Sequence, residues 1–307
     1  MSEPVNPSTT DMTDETSAQR RAFLTGGGLL AAGAATLAMG PSSAFAQAAP
    51  GESLLDTWTK NKKARIGVDL NNKPLRFRDE NGKPSGLGIE YLELMMKDLG
   101  VEPEYVEMPF GQTFAALAAG RFDMIGTFVT ILPARALRGT FAGFPAYYQQ
   151  NVAYLKPNST LTKLGELNAA GIKIACQQGS SEETTLKVMF PKATVQTFPQ
   201  VADAANALAG SLVDALITDA FFLKTISQTF PGVKVIGEPV NAIANTFFMP
   251  HNDFKLWAYI TNWVRYQGSM RTIVGLQEKW FGDEARTKYN IPTLGVGSGG
   301  EPLVVTL

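Results

Sequence analysis

The chain has 307 residues, 45% of them hydrophobic, and its 27 basic and 28 acidic side chains leave a net charge of -1. The length suggests about two domains, and the charge offers no basic field for nucleic acid and no polybasic patch for anionic lipid, so a partner must be recognised locally. One cysteine, Cys176, and one histidine, His251, rule out an internal disulfide or a multi-cysteine metal site and argue against a hydrolase or metalloenzyme; no metal or organic cofactor is expected.

In chain order, residues 1–19 are polar and read as a disordered leader. Arg20-Arg21-Ala22-Phe23-Leu24-Thr25 follows, then an apolar stretch from Gly26 to about Met39, and then Ala44-Phe45-Ala46. Paired arginines, an apolar run and a small-x-small triplet in that order predict an export signal over 1–46, with Gln47 as the mature start. The run is too short and too rich in Gly and Ala for a permanent span. The competing interpretation is an amphiphilic N-terminal helix or an anchor. The Arg-Arg-x-Phe-Leu pattern is similar to a twin-arginine signal, which implies folding before export. No later segment is long and apolar enough to span a bilayer, so a soluble periplasmic protein is expected.

Beyond a lead-in over 47–63, Lys63–Asp69 reads as a strand and Asn81-Gly82 as a tight turn. Apolar positions at Ile89, Leu92, Met95, Met96 and Leu99 predict a helix closed by Gly100. A strand over Val101–Met108, a short helix over Gln112–Ala119 and a buried strand over Phe122–Phe128 complete a first half. The same order returns: a strand over Gly171–Cys176, a helix from about Glu182, and a strand around Ala193–Val195. Ala116–Asp123 echoes Ala207–Asp214 as helix end, turn, Asp and buried strand (Met124–Thr127, Ala215–Thr218). Strands alternating with helices in duplicated order predict an α/β protein of two lobes, each a mostly parallel sheet with flanking helices. Ligand crevices in such sheets lie beyond the strands' carboxyl ends, here at Asp69–Phe77, Thr127–Arg135, Gln177–Ser181 and Thr218–Asp219.

Seven pieces in order carry a resemblance. They are Ile66-Gly67-Val68-Asp69, Asp79 to Gly86, Gly120 to Ile125, Pro133-Ala134-Arg135 with Pro145 to Tyr148, Gln177 to Ser181, Val213-Asp214-Ala215 with Asp219, and Glu278 to Gly282. Over about 64–283 the chain resembles the extracellular solute-binding proteins of polar amino-acid ABC transporters, family 3, of the type II periplasmic-binding fold. The resemblance implies a first lobe over 64–152 and 246–292, an inserted second lobe over 153–245, and a C-terminal tail over 293–307. Hinge strands are expected near Gln150–Leu155 and Ala244–Met249.

It also implies a monomeric receptor that closes on a zwitterionic solute and hands it to an inner-membrane ABC permease. Arg135 matches the arginine that grips the ligand carboxylate, as a planar fork of donors suits two parallel hydrogen bonds. Asp219 matches the acid that holds the ammonium; an N-cap for the following helix is its plainer role. Thr127 and Thr130 match positions that offer hydroxyl or backbone groups, with β-propensity the alternative for Thr127. Ser180 and Ser181 sit at a helix N-terminus that attracts an anion or needs a cap, and Gln177 opens the same loop. Phe110 matches an aromatic wall, or else packs in the core. Asp69 matches a position that holds a cationic side chain in some members, or else caps a turn.

The chain departs from the family at Asn72 and Leu75, where aromatic rings are usual, at Phe128, where Gly or Ser is common, and at Gly88, where an acid is common. A bulky Phe128 is expected to narrow the pocket, or else to replace the missing aromatic lid. A rival interpretation is an enzyme on this fold, similar to the periplasmic cyclohexadienyl dehydratases, which would need a cleft carboxylic acid of raised pKa; Glu182 or Glu183 are the candidates. No phosphate-binding Gly-x-x-x-x-Gly-Lys-Ser/Thr loop exists, and a tethered sensor would need a membrane span. Gly295–Gly300 reads as a disordered Ser/Gly tail, and Cys176 as a small buried hydrophobe.

Overall fold

The structure, a computed structural model, describes residues 51–289 and 291–305. The export signal, its cleavage triplet and Gln47 lie outside the described residues. Among those described, no helix is long and apolar enough to cross a membrane.

The first half runs α1 (Leu54–Asn61), β1 (Lys63–Val68), β2 (Asn71–Asn72), β3 (Arg76–Arg78), β4 (Pro84–Ser85), α2 (Leu87–Leu99), β5 (Glu102–Glu107), α3 (Phe110–Ala118), β6 (Met124–Thr130), α4 (Pro133–Ala136) and β7 (Thr140–Phe141). After β8 (Tyr147–Leu155) the second half follows as β9 (Lys173–Gln177), α5 (Ser181–Met189), β10 (Thr194–Phe198), α6 (Val201–Ala209), β11 (Ala215–Asp219) and α7 (Leu223–Thr229). The long β12 (Lys234–Met249) then returns to α8 (Phe254–Ser269), α9 (Thr272–Phe281), α10 (Glu284–Tyr289), β13 (Leu294–Val296) and β14 (Pro302–Val304).

The main sheet has the order β10-β9-β11-β8-β12-β6-β1-β5. In the first half β5, β1 and β6 are parallel, and in the second β10, β9 and β11 are parallel. The antiparallel pair β8 and β12 joins them, each strand pairing with both halves' sheets or with its neighbour across the junction. All seven residues of β6 are buried, as expected of a strand covered on both faces. Helix α2 buries Leu87, Ile89, Leu92, Met95 and Met96 at helical spacing, and the Gly100 N–H caps it by donating to Lys97 and Met96 carbonyls.

The repeated Asp explains the repeated grammar. Asp123, just before β6, accepts from the Arg65 backbone N–H (3.1 Å), the Trp58 indole (2.9 Å) and the Arg65 guanidinium, so it ties α1, β1 and β6 together. Asp214, just before β11, accepts from the Lys173 backbone N–H (2.8 Å) and from Lys156 Nζ (2.6 Å). Each carboxylate thus fixes the start of a parallel strand pair and carries its own cation. Close packing sets a second constraint. A Cβ on Gly67 would overlap the fully buried ring of Phe122. Gly67→Ala is therefore expected to destabilise by about 1–3 kcal/mol through overpacking, seen as a lower urea midpoint at unchanged slope.

Two expectations need correction. The resemblance places the segment after Phe281, to residue 292, in the first lobe, but Ala285, Tyr289 and Ile291 pack into the second half's core with Val201, Leu208 and Ile226. The chain therefore crosses between the halves a third time. The Ser/Gly tail is not disordered over its described length: β13 and β14 form an antiparallel hairpin, and Leu294, Val296 and Val305 are buried in the first half's core. Alternating apolar residues around Gly297–Gly300 are a hairpin signal that composition alone conceals.

Candidate functional site

The carboxyl ends of β1, β6, β9 and β11 converge on one cavity. It is lined from the first half by Asn72, Leu75, Arg76, Phe110, Phe128, Thr130 and Arg135, and from the second by Gln177, Ser180, Ser181, Glu182, Thr218 and Asp219. Gln149 and Asn245, on the two joining strands, complete it. The space is about 40 Å³, room for about three waters, so an amino acid enters only if the halves part.

Three polar contacts cross the cavity. Arg135 Nη2 donates to the Gly179 carbonyl (2.9 Å), Gln177 Nε2 donates to Asp69 Oδ2 (2.8 Å), and Thr130 Oγ1 meets Ser181 Oγ at 3.2 Å. Backbones also approach closely. Gly179 has φ +73°, and a Cβ there would lie 2.8 Å from Gly111 Cα, so a glycine is needed both for the turn and for the contact.

Arg135 is carried by the single turn of α4 and is 8% exposed. Its Nη1 donates to the Thr130 carbonyl (3.0 Å), and its guanidinium lies over the rings of Phe110 and Phe114 at 5.5 and 5.1 Å. Burial lowers its pKa to about 10, against a counteracting Glu182, so it remains charged at neutral pH. The solvated surface arginine is excluded by this burial.

Asp219 ends β11. Its Oδ1 accepts from the Phe221 N–H (3.1 Å), capping the following 3-10 turn, and its Oδ2 accepts from the Tyr147 hydroxyl. Capping and lining the cavity are therefore compatible. Burial raises its pKa to about 7, outweighing the Tyr147 and Phe221 hydrogen bonds and the nearby Arg76 charge, while Glu182 adds to the rise. Tyr147 is itself pushed up, first by burial and then by Asp219.

Ser180 is the N-cap residue of α5, but its side chain makes no capping bond and its buried Oγ has no partner. Ser181 Oγ donates to Glu182 Oε2 (2.9 Å), and Gln149 Nε2 donates to Glu182 Oε1 (2.8 Å). Glu183 is turned away, accepting from the Gly179 N–H (2.8 Å) and pairing with Lys187. Phe128 lines the cavity and packs against Tyr91 and Tyr147 at 5.5 and 5.2 Å. Asp69 is fully buried; its Oδ1 accepts from the Asn71 backbone and side chain, so the turn-capping role holds there too. Thr127 needs correction: it lies on the opposite pleat from Phe128 and Thr130, does not line the cavity, and its hydroxyl has no partner.

Arg76 is the residue that the sequence reading did not single out. It lies in β3, inside the expected Asp69–Phe77 segment, and is 5% exposed. Its Nη2 is 3.6 Å from Asp69 Oδ2, and its guanidinium sits 5.7 Å from the Phe110 centroid. The Gln149-Gln150-Asn151 run in an otherwise apolar strand was the available signal for Gln149. Among the described residues, no group of three or more His, Cys, Asp or Glu is placed to hold a metal ion.

Residues 64–283 match the model for bacterial extracellular solute-binding proteins, family 3. The probable histidine-binding protein of Campylobacter jejuni is 30% identical over 156 residues, 50% of this chain and 59% of that protein. The L-cystine-binding protein TcyJ of Escherichia coli is 23% identical over 232 residues, 75% of this chain and 87% of that one. The solved ancestral amino acid-binding protein AncCDT-1, a precursor of cyclohexadienyl dehydratase, is similar with a TM-score of 0.68 at 28% identity, covering 75% of this chain and 100% of that one.

Proposed function

The chain belongs to the bacterial extracellular solute-binding proteins, family 3, and on that premise we propose that it captures an amino acid in the periplasm and delivers it to an ABC permease. Arg135 receives the α-carboxylate, Ser180 and Ser181 at the α5 N-terminus hold its other side, and Asp219 takes the ammonium. The observation that carries this is the placement of Arg135 and Asp219, both buried, in one cavity but on different halves. Neither can engage both ends of a zwitterion until the halves meet, and exclusion of water then strengthens both pairs. Closure becomes a hinge motion about β8 and β12, biased by contacts made only when shut. Export through a twin-arginine signal and a monomeric state complete the proposal.

The test is to express the chain from Gln47, strip it by unfolding and refolding, and screen its melting temperature against amino acids and small carboxylates. A ligand at a hundredfold excess over Kd should add about 2.7 kcal/mol. Failure of every amino acid to shift the melting point rejects the proposal.

One observation favours a second reading. A dehydratase requires a cleft carboxylic acid of raised pKa, and Asp219 is such a group; of the two glutamates expected for that role, Glu182 lines the same cavity and Glu183 is turned away from it. Turnover of prephenate or arogenate by the refolded protein would establish it, and its absence would leave the receptor.

A further inference from the structure

Arg76 points to the chemistry of the ligand side chain. The inference rests on the proposal that this cavity takes an amino acid. The carboxylates around the cavity are each occupied: Asp69 by Asn71, Gln177 and Arg76, Glu182 by Gln149 and Ser181, and Asp219 by Tyr147 and the Phe221 N–H. The buried side-chain atoms that line the cavity without a partner are Arg76 Nε and Ser180 Oγ, and both can donate. A buried guanidinium N–H without an acceptor is costly, and such orphans in native sites are commonly met by a ligand or water.

We infer that Arg76 receives a second acceptor group on the ligand, so that the solute is an amino acid with an anionic side chain. Arg135 and Arg76 both flank the Phe110 ring, at 5.5 and 5.7 Å from its centroid. One aromatic side chain therefore lies against two guanidiniums that line a single cavity, where each could meet one carboxylate of a small molecule. The alternative, a cationic side chain on Asp69, would have to displace Arg76 and Gln177 from a carboxylate with no exposed surface. Arg76 would then remain buried without its counter-charge, which is the strongly unfavourable case.

The refolded chain from Gln47 is titrated with glutamate, aspartate, leucine, arginine and lysine. Glutamate or aspartate is expected to bind tightest. Arg76→Gln should weaken that ligand by about 10- to 100-fold, the worth of a hydrogen bond to a charged group. Arg76→Lys keeps the charge without the Nε–H and should fall between. Circular dichroism and a retained cooperative melting transition show that the variants are folded. A preference for arginine or lysine, or acidic-ligand affinity unchanged in Arg76→Gln, overturns the inference while sparing the receptor. Failure of all five amino acids overturns both.

Discussion

Arg135→Ala is expected to abolish capture of the solute under conditions where the parent protein is saturated. Removing one partner of a buried, hydrogen-bonded charge pair costs about 2–5 kcal/mol, or roughly 30- to 4000-fold in affinity. The loss should be at the steep end here, because Arg135 is 8% exposed and solvent cannot replace it. The same substitution also removes the donors to the Thr130 and Gly179 carbonyls, the second of which lies across the cavity. A purely structural Arg135 would therefore lower the melting temperature and leave Kd alone. Calorimetric titration well below the melting point separates the two, and an unchanged Kd would reject the carboxylate role. Arg135→Lys should not rescue, since a point charge with a compact ammonium cannot serve two carbonyls and a carboxylate with a planar fork.

The places where sequence was sufficient are those where one local rule decides. Period 3.6 in Ile89–Leu99 and a glycine after it gave α2 and its cap. Small-residue turns followed by Asp123 and Asp214 marked two parallel strand pairs, because a carboxylate at that point accepts from a backbone N–H of the neighbouring strand, Arg65 or Lys173. The four strand-end segments met at one cavity because parallel sheets aim their carboxyl ends the same way. Failures came where two segments far apart in sequence decide the outcome. Arg76 has its counter-charge, Asp69, only seven residues away, but the ring that covers it is Phe110 from α3, so the window around β3 does not predict its burial. Thr127 was misplaced by motif position, although period 2 already put it on the other face from Thr130. The C-terminal hairpin was hidden by its glycines, and its core residues act only because α9 and the first half's sheet present an apolar surface to them.

Asp219 should make both stability and binding depend on pH, and in opposite senses. Its pKa is about 7 in the folded chain through burial, against an ordinary value of 3.8. The folded protein therefore holds a proton that the unfolded chain has already released between these values. The stabilisation is complete below about pH 4 and is lost as pH rises to about 7, a swing of about 4 kcal/mol. Asp219→Asn removes the titration, so its stability relative to the parent should rise from pH 5 to pH 8. A flat difference across that range would show that Asp219 is ionised throughout. Binding runs the other way under the receptor proposal: an ammonium favours the carboxylate, so capture expels the proton below pH 7 and affinity should fall about tenfold per pH unit as pH drops. Titrations in buffers of different ionisation enthalpy should report about one proton released per ligand near pH 5.5. The dehydratase reading predicts the reverse dependence, because an acid catalyst must keep its proton and activity would vanish as pH passes 7. One residue, followed across pH 5 to 8, therefore distinguishes a receptor that loses its proton on binding from an enzyme that must keep it.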